Sequence, residues 1–262
     1  MPSPVNHLTP EQLDAFGAEL DDLRRRTVDD LGERDRQYLH KVVRAQRGLE
    51  FAGRALFFAG FFPPAWLGGV AALSASKILD NMEIGHNVMH GQYDFLQDPA
   101  FDGNTFDWDT ACPGDQWRHS HNFKHHTFTN IVGEDRDIGY GILRMTPEQK
   151  WKASDLGNPV YAFLLATFFQ YGVMLHDLEV ERLVTGEKKW SETAELRAEM
   201  LKKLGSQTLK DYVLFPLLTG PSAPLTFVGN ATANLVRNLW SFSIIFCGHF
   251  PEGVATFTQE EA

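Results

Sequence analysis

The sequence predicts an all-α protein, an integral membrane helical bundle carrying a polar, cytoplasmic helical cap. Three observations point there. A charged amphipathic arm opens the chain, three long uncharged stretches follow it, and the polar block between the first two of those stretches holds six histidines, five of them in two closely spaced motifs.

Residues 1–54 hold nine Lys/Arg and ten Asp/Glu, with Leu13, Phe16, Leu20 and Leu23 at helical spacing, so this segment reads as a solvated helical arm. It shows no basic region followed by an apolar run and a small-residue cleavage site, which places the N-terminus on the cytoplasmic side. The next segment, residues 55–84, contains 22 uncharged residues from Ala55 to Ser76, enough to span a bilayer. Pro63-Pro64 and Gly68-Gly69 interrupt it and leave both one kinked span and a tight hairpin open.

Two further uncharged stretches, 21 residues from Leu156 to His176 and 25 from Tyr212 to Val236, make 156–250 a region of membrane or interfacial segments, followed by a stub over 251–262. Buried helices of a large soluble core are the alternative; the length of the runs and the twenty phenylalanines of the chain favour lipid. Six Lys/Arg in 85–155 and seven in 177–211 direct the arm and both polar blocks to the cytoplasm. An even number of crossings must then separate Ile84 from Cys247. Composition does not say whether 156–176 crosses, re-enters or lies in the interface.

Composition removes other classes. A balance of 24 Lys+Arg against 34 Asp+Glu, net −10, argues against a nucleic-acid partner. Only Cys112 and Cys247 occur, so a disulfide framework and a thiolate zinc or iron-sulfur site are both excluded, and metal chemistry must come from histidine and carboxylate.

The histidines supply that chemistry. His86 and His90 stand in GHNVMHG, and His121, His125 and His126 in HSHNFKHHTFTN. On a helix, residues four apart share a face, so His86 with His90 and His121 with His125 form two imidazole claws, with His126 turned to reach a second ion or the far side of the first. Five imidazoles exceed what one tetrahedral zinc needs, whereas iron accepts nitrogen-rich sites with open positions, so two Fe ions are the expected count.

These blocks, with GEDRDIGYG after the second, resemble the first and second histidine boxes of the membrane fatty acid desaturases. DNMEIGHNVMHGQYDF and LWSFSIIFCGHFPEG are most similar to the actinobacterial acyl-CoA desaturases of the stearoyl-CoA (delta-9) type. The similarity covers essentially the whole chain, as a single desaturase domain over residues 1–262. It implies that His86, His90, His121, His125, His126 and His249 hold two irons on the cytoplasmic ends of membrane helices, with no catalytic residue separate from the metal ligands. It implies a fatty acyl substrate, linked to CoA or to lipid, and O2 as oxidant. The family's third box, HxxHH or QxxHH, does not follow His249 before Ala262, so the resemblance implies a domain incomplete at its C-terminus.

Other residues extend the candidate site. Glu83, one turn before His86, and Asp135 and Asp137, after the second box, could orient imidazoles. Asn230, Asn234 and Asn238 recur every fourth residue on the face of His249, either as the lining of an acyl tunnel with support for His249, or as helix-to-helix hydrogen bonds. Arg118 and Lys124 could bind the phosphates of an acyl-CoA or of anionic lipid. Trp108 and Trp117 read as packing or interfacial anchors. His119 points away from His121, and His7, His40 and His176 are isolated. No GxGxxG after a strand and no HPGG haem motif occurs, so electrons are expected from a separate donor, a ferredoxin-like or cytochrome b5-like protein with an NAD(P)H reductase. Three rivals stay open: a di-iron hydroxylase of alkanes or fatty acids, an inactive truncated chain, and a zinc-dependent intramembrane hydrolase.

Overall fold

The computed structural model describes residues 7–262, and apart from one isolated β-bridge the regular structure among them is helical. It divides into two compact units, Met1–Lys41 and Val42–Ala262.

In the first unit, α1 (Pro10–Asp29) starts from a reciprocal cap: the Thr9 hydroxyl accepts from the Gln12 amide and the Gln12 side chain accepts from the Thr9 amide, with Pro10 at the first helical position. No residue of α1 is buried, and its stripe of Phe16, Leu20 and Leu23 stays exposed, as the helical spacing of the arm predicts.

Helix α2 (Glu33–Leu56) ends in the second unit and turns back into α3 (Pro63–Ile78) through a short 3-10 turn and residues 60–62. The sequence left a kink and a hairpin open; the structure has the hairpin, because Phe62 is extended and Pro63 can only start a new helix. The two arms meet at glycines. A Cβ on Gly53 would lie 2.9 Å from the Leu73 amide nitrogen, and one on Gly69 would strike the ring of Phe57. Phe57, completely buried, fills the space between Gly69 and Gly229.

Helix α3 runs on into a π-helical segment, Leu79–His86, and a single turn, α4 (Asn87–Met89). After an irregular loop, α5 (Gly114–Trp117) continues as a second π-helical segment, Arg118–His125. The expected segment 156–176 is two helices, α6 (Asn158–Thr167) and α7 (Phe169–Asp177), bent by 104° at Phe168. Then come α8 (Val180–Thr185) and α9 (Ala194–Thr208), the latter prolonged by a third π-helical segment, Leu209–Leu214, into α10 (Phe215–Leu218). A turn at Gly220, whose φ of +57° suits glycine, leads into the long α11 (Ala223–His249), which packs along α3. The third uncharged stretch is therefore also a hairpin rather than one rod.

Among the described residues no single helix is long and apolar enough to cross a membrane; the bent pair Ala153–Thr167 with Phe169–Asp177 has the length and composition only when both arms are taken together. The physical reason is local. Proline, glycine and the bend at Phe168 break the first two uncharged runs into shorter helices, and α11, long enough at 27 residues, is diluted by Asn230, Asn234, Arg237 and Asn238.

At mid-bundle, Asp211 is fully buried and holds α2, α3 and α11 together. Its oxygens accept from Arg54 (2.7 Å), Lys77 (2.8 Å) and Asn234 (3.2 Å), while Asn230 accepts from Arg54 at 2.9 Å. At the other end, α3 and α11 deliver His86 and His249 to the same place.

Candidate metal centre

Six imidazoles converge where α4, the second π-helical segment and the end of α11 meet. His86 and His90 face each other with Nε2 atoms 3.2 Å apart. His121 and His125 stack at 5.0 Å between ring centroids, His126 lies 4.9 Å from both His90 and His121, and His249 lies 4.8 Å from His125. All six histidines expected from the sequence are therefore brought together.

Two sets have ligand atoms within 4.8 Å of one another: His121, His125, Asp137 and His249, and His86, His90 and His121. The donor set suits two ions. It is nitrogen-rich, as borderline iron accepts, and is larger than one tetrahedral site can use.

Carboxylates and a carbonyl behind the rings fix their tautomers. Asp137 accepts from His121 Nδ1 at 2.8 Å, Asp135 from His125 Nδ1 at 3.0 Å, and the Ile245 carbonyl from His249 Nδ1 at 2.7 Å. Each of these three rings thus turns Nε2 toward the centre, the arrangement that metal-binding imidazoles require. Asp135 is itself held by the amides of Asn130 and Asp137. Burial would raise the Asp137 carboxyl, but the hydrogen bonds from His121 and His176 outweigh it and hold the group well below the usual carboxylate range. His86 is pushed down to about 3 by burial and then by the neighbouring imidazoles, and His90 to about 4 by the same causes, so both are neutral and free to bind metal near pH 7. For His125, burial favours the neutral ring but the Asp135 and Asp137 carboxylates win and raise its pKa.

The π-helical geometry explains how these residues fit. Gly85 allows the close approach on one side: a Cβ there would sit 3.1 Å from the Trp108 Cβ. Trp117 lies parallel to His121 at 4.5 Å and stands 5.4 Å and 5.3 Å from His86 and His90, closing the other side.

Several expectations are corrected. Arg118 does not face a phosphate: its guanidinium donates to the Gly103 and Phe106 carbonyls at 3.2 and 2.9 Å and pairs with Asp115, which pins the loop before the second box. Asn234 does not line a tunnel; it donates to Asp211 and to the Tyr212 hydroxyl. Asn238 lines the cavity beside the histidines, but it donates to the Thr167 carbonyl at 2.9 Å and does not support His249. The Glu83 backbone carbonyl accepts from the Asn87 side chain at 2.9 Å. His119, as its spacing predicts, lies outside the cluster and packs against Phe123. His176, set aside as isolated, is buried and donates from Nε2 to Asp137 at 3.3 Å, so Asp137 bridges two imidazoles. The signal was available: His176-Asp177 is a polar pair closing an apolar run, and such a pair needs buried partners.

The fatty acid desaturase model matches residues 45–261. The chain belongs to the fatty acid desaturase family. It is 43% identical over 259 residues to the NADPH-dependent stearoyl-CoA 9-desaturase of Mycobacterium tuberculosis, in both strain CDC 1551 / Oshkosh and strain H37Rv, covering 97% of this chain and 61% of the relative. It is 27% identical over 214 residues to the sn-1 linoleoyl-lipid 6-desaturase of Synechocystis sp., covering 78% of this chain and 58% of that one. The chain thus spans about three fifths of the length of these curated relatives. No solved structure matches it.

Proposed function

We propose that this protein is an O2-dependent fatty acyl desaturase with a di-iron centre. The observation that carries the reading is the convergence of six imidazoles, three of them backed at Nδ1 by an oxygen acceptor, at one end of a cavity. His86, His90, His121, His125, His126 and His249 would hold the two irons, whose chemistry when bound is activation of O2 for abstraction of hydrogen from a methylene. The remaining work belongs to the chain. Asp135 and Asp137 orient the rings, Trp108 and Trp117 close the site against water, and the cavity holds an acyl chain beside the histidines so that one methylene is presented. The substrate is an acyl-CoA or acyl-lipid, as the names of the two relatives suggest. The NADPH dependence in the name of the mycobacterial relative supports electron supply from NADPH through a separate donor protein.

The protein is read as one desaturase domain embedded in a membrane, its arm and metal centre on the cytoplasmic face. Two features support this. Phe58, Phe61, Phe62 and Leu67 at the α2–α3 turn, and Leu217, Leu218, Phe227 and Val228 around the α10–α11 turn, expose a large apolar surface at the end of the bundle away from the histidines. The turns are joined by the Trp66 indole donating to the Leu225 carbonyl at 2.9 Å. Helix α11, 27 residues and about 40 Å long, approaches the thickness of a bilayer with its headgroups. In this placement the bent α6–α7 pair re-enters, and the hairpin ending in α11 supplies the even number of crossings.

The test is metal content and product. Detergent-purified protein should hold close to two irons and little zinc. Supplied with stearoyl-CoA, O2, NADPH and a donor system, it should yield a new double bond. A hydroxylated lipid without a double bond would replace desaturation by hydroxylation, and turnover without O2 would exclude both.

A further inference from the structure

The cavity that ends at His86, His121 and His249 is not lined by hydrocarbon alone. Its far wall is built by α11 and the bend between α6 and α7, and three polar side chains meet there: Arg237, Asn238 and Gln170. Asn238 is fully used. Its amide donates to the Thr167 carbonyl left open by the bend, and its oxygen accepts from the Arg237 guanidinium at 3.2 Å and, more weakly, from the Gln170 backbone amide at 3.5 Å. That shared acceptor ties the Arg237 guanidinium to the Gln170 backbone, and both side chains line the cavity. Both are at least nine-tenths buried, yet Arg237 Nε and both polar atoms of the Gln170 side chain have no hydrogen-bond partner. No carboxylate among the described residues pairs with Arg237; Asp211 is taken by Arg54, Lys77 and Asn234.

A buried guanidinium with no direct ion pair, on which Asp109 and Asp211 act only from a distance, is costly, and an ionisable group in an apolar helix marks a ligand site whose partner carries the opposite charge. We propose that Arg237 and Gln170 form a carboxylate-binding pole of this cavity, so that the desaturase also takes an unesterified fatty acid, its carboxylate on Arg237 and its chain directed toward the histidines. The guanidinium and the Gln170 amide supply donors to the two carboxylate oxygens. Arg237 lies about 18 Å along α11 from His249, so methylenes far from the carboxylate reach the metal ligands. This inference rests on reading the cavity as an acyl chamber and adds a ligand class, since acyl-CoA and acyl-lipid have no free carboxylate at the chain end.

The experiment is calorimetric titration of the full-length, detergent-purified protein with decanoate and with 1-decanol, which differ only in the head group. Decanoate should bind at least about tenfold more tightly, the scale of a charge-assisted hydrogen bond. Arg237→Met should abolish the preference while leaving decanol affinity unchanged, Arg237→Lys should retain part of it, and Gln170→Leu should reduce it. Circular dichroism and gel filtration check that each variant is folded, and Gln170→Leu keeps the test alive if Arg237→Met is not. Equal binding of the two ligands, or a preference that survives in Arg237→Met or is untouched in Gln170→Leu, overturns the carboxylate pole and leaves the acyl chamber standing. Binding of neither overturns both.

Discussion

Helices α3 and α11 each carry two buried polar clusters, and the two differ in what they leave unmade. At mid-bundle, both Asp211 oxygens are occupied, by Arg54, Lys77 and Asn234, and Asn230 closes the set by accepting from Arg54 and donating to the Asp211 carbonyl. At the histidine end, the Nδ1 atoms of three rings are engaged outward while their Nε2 atoms point inward at one another. A polar network whose charges pair with one another is a strut, even though Arg54 Nε and Asn234 Oδ1 there lack a partner. One closed on its outer side and open on its inner side is a receptor for something else. The same helices therefore combine a structural joint and a ligand-binding end, and the direction of the unmade bonds tells them apart.

That contrast can be broken by mutation. The largest effect on metal is expected from His121→Ala, since His121 belongs to both potential ligand sets: iron measured by mass spectrometry should fall to a small fraction of wild type with the helical circular dichroism retained. Unchanged iron would remove His121 from the ligands. Asp211→Ala should act the other way, lowering stability by roughly 3–5 kcal/mol because Arg54 and Lys77 lose their counter-charge, while any protein that remains folded should still load iron. Normal denaturant stability in this variant would mean that the joint carries no load.

Intermediate effects sharpen the boundary between ligands and their supports. Asp135→Asn keeps the size of the side chain but removes the charge behind His125, and metal affinity should drop about 10- to 100-fold without a change in melting of the metal-free protein. The last expected effect concerns acid. The unfolded chain takes up protons on His86 and His90 near the ordinary value of 6.5, whereas the fold refuses them until about 3 and 4. Stability of the metal-free protein should be complete above 6.5 and decline as the pH falls below it toward those values. Thermal melts at successive pH values check this, and the slope should flatten in His86→Gln.

Much of the metal centre was legible in the sequence because a four-residue spacing brings two side chains to one helical face whatever the rest of the protein does. His86 with His90 and His121 with His125 needed only local geometry, and His249 needed the resemblance. What local reasoning could not supply is tertiary. Asp137 reaches His176 because α7 bends back beside the second histidine box, and no spacing encodes that encounter. Arg118 looked available because its neighbours in the chain are polar, but the carbonyls that occupy it come from a loop folded over it. The uncharged runs were visible as runs; their division into hairpins at Phe62-Pro63 and Gly220, and the bend at Phe168, depends on dihedral choices that hydropathy does not register.

The π-helical segments at Leu79–His86 and Arg118–His125 have a consequence for how this chain tolerates change. A π-turn is in effect a one-residue insertion absorbed inside a helix. Deleting a single residue from either segment would restore ordinary helical winding and swing everything downstream by about 100° around the axis. His90 or His126 would then face outward with every individual residue type preserved. Beyond the histidines, Gly85 and Arg118, these segments should therefore tolerate substitution better than any change of length, and a scan of single-residue deletions would mark their boundaries.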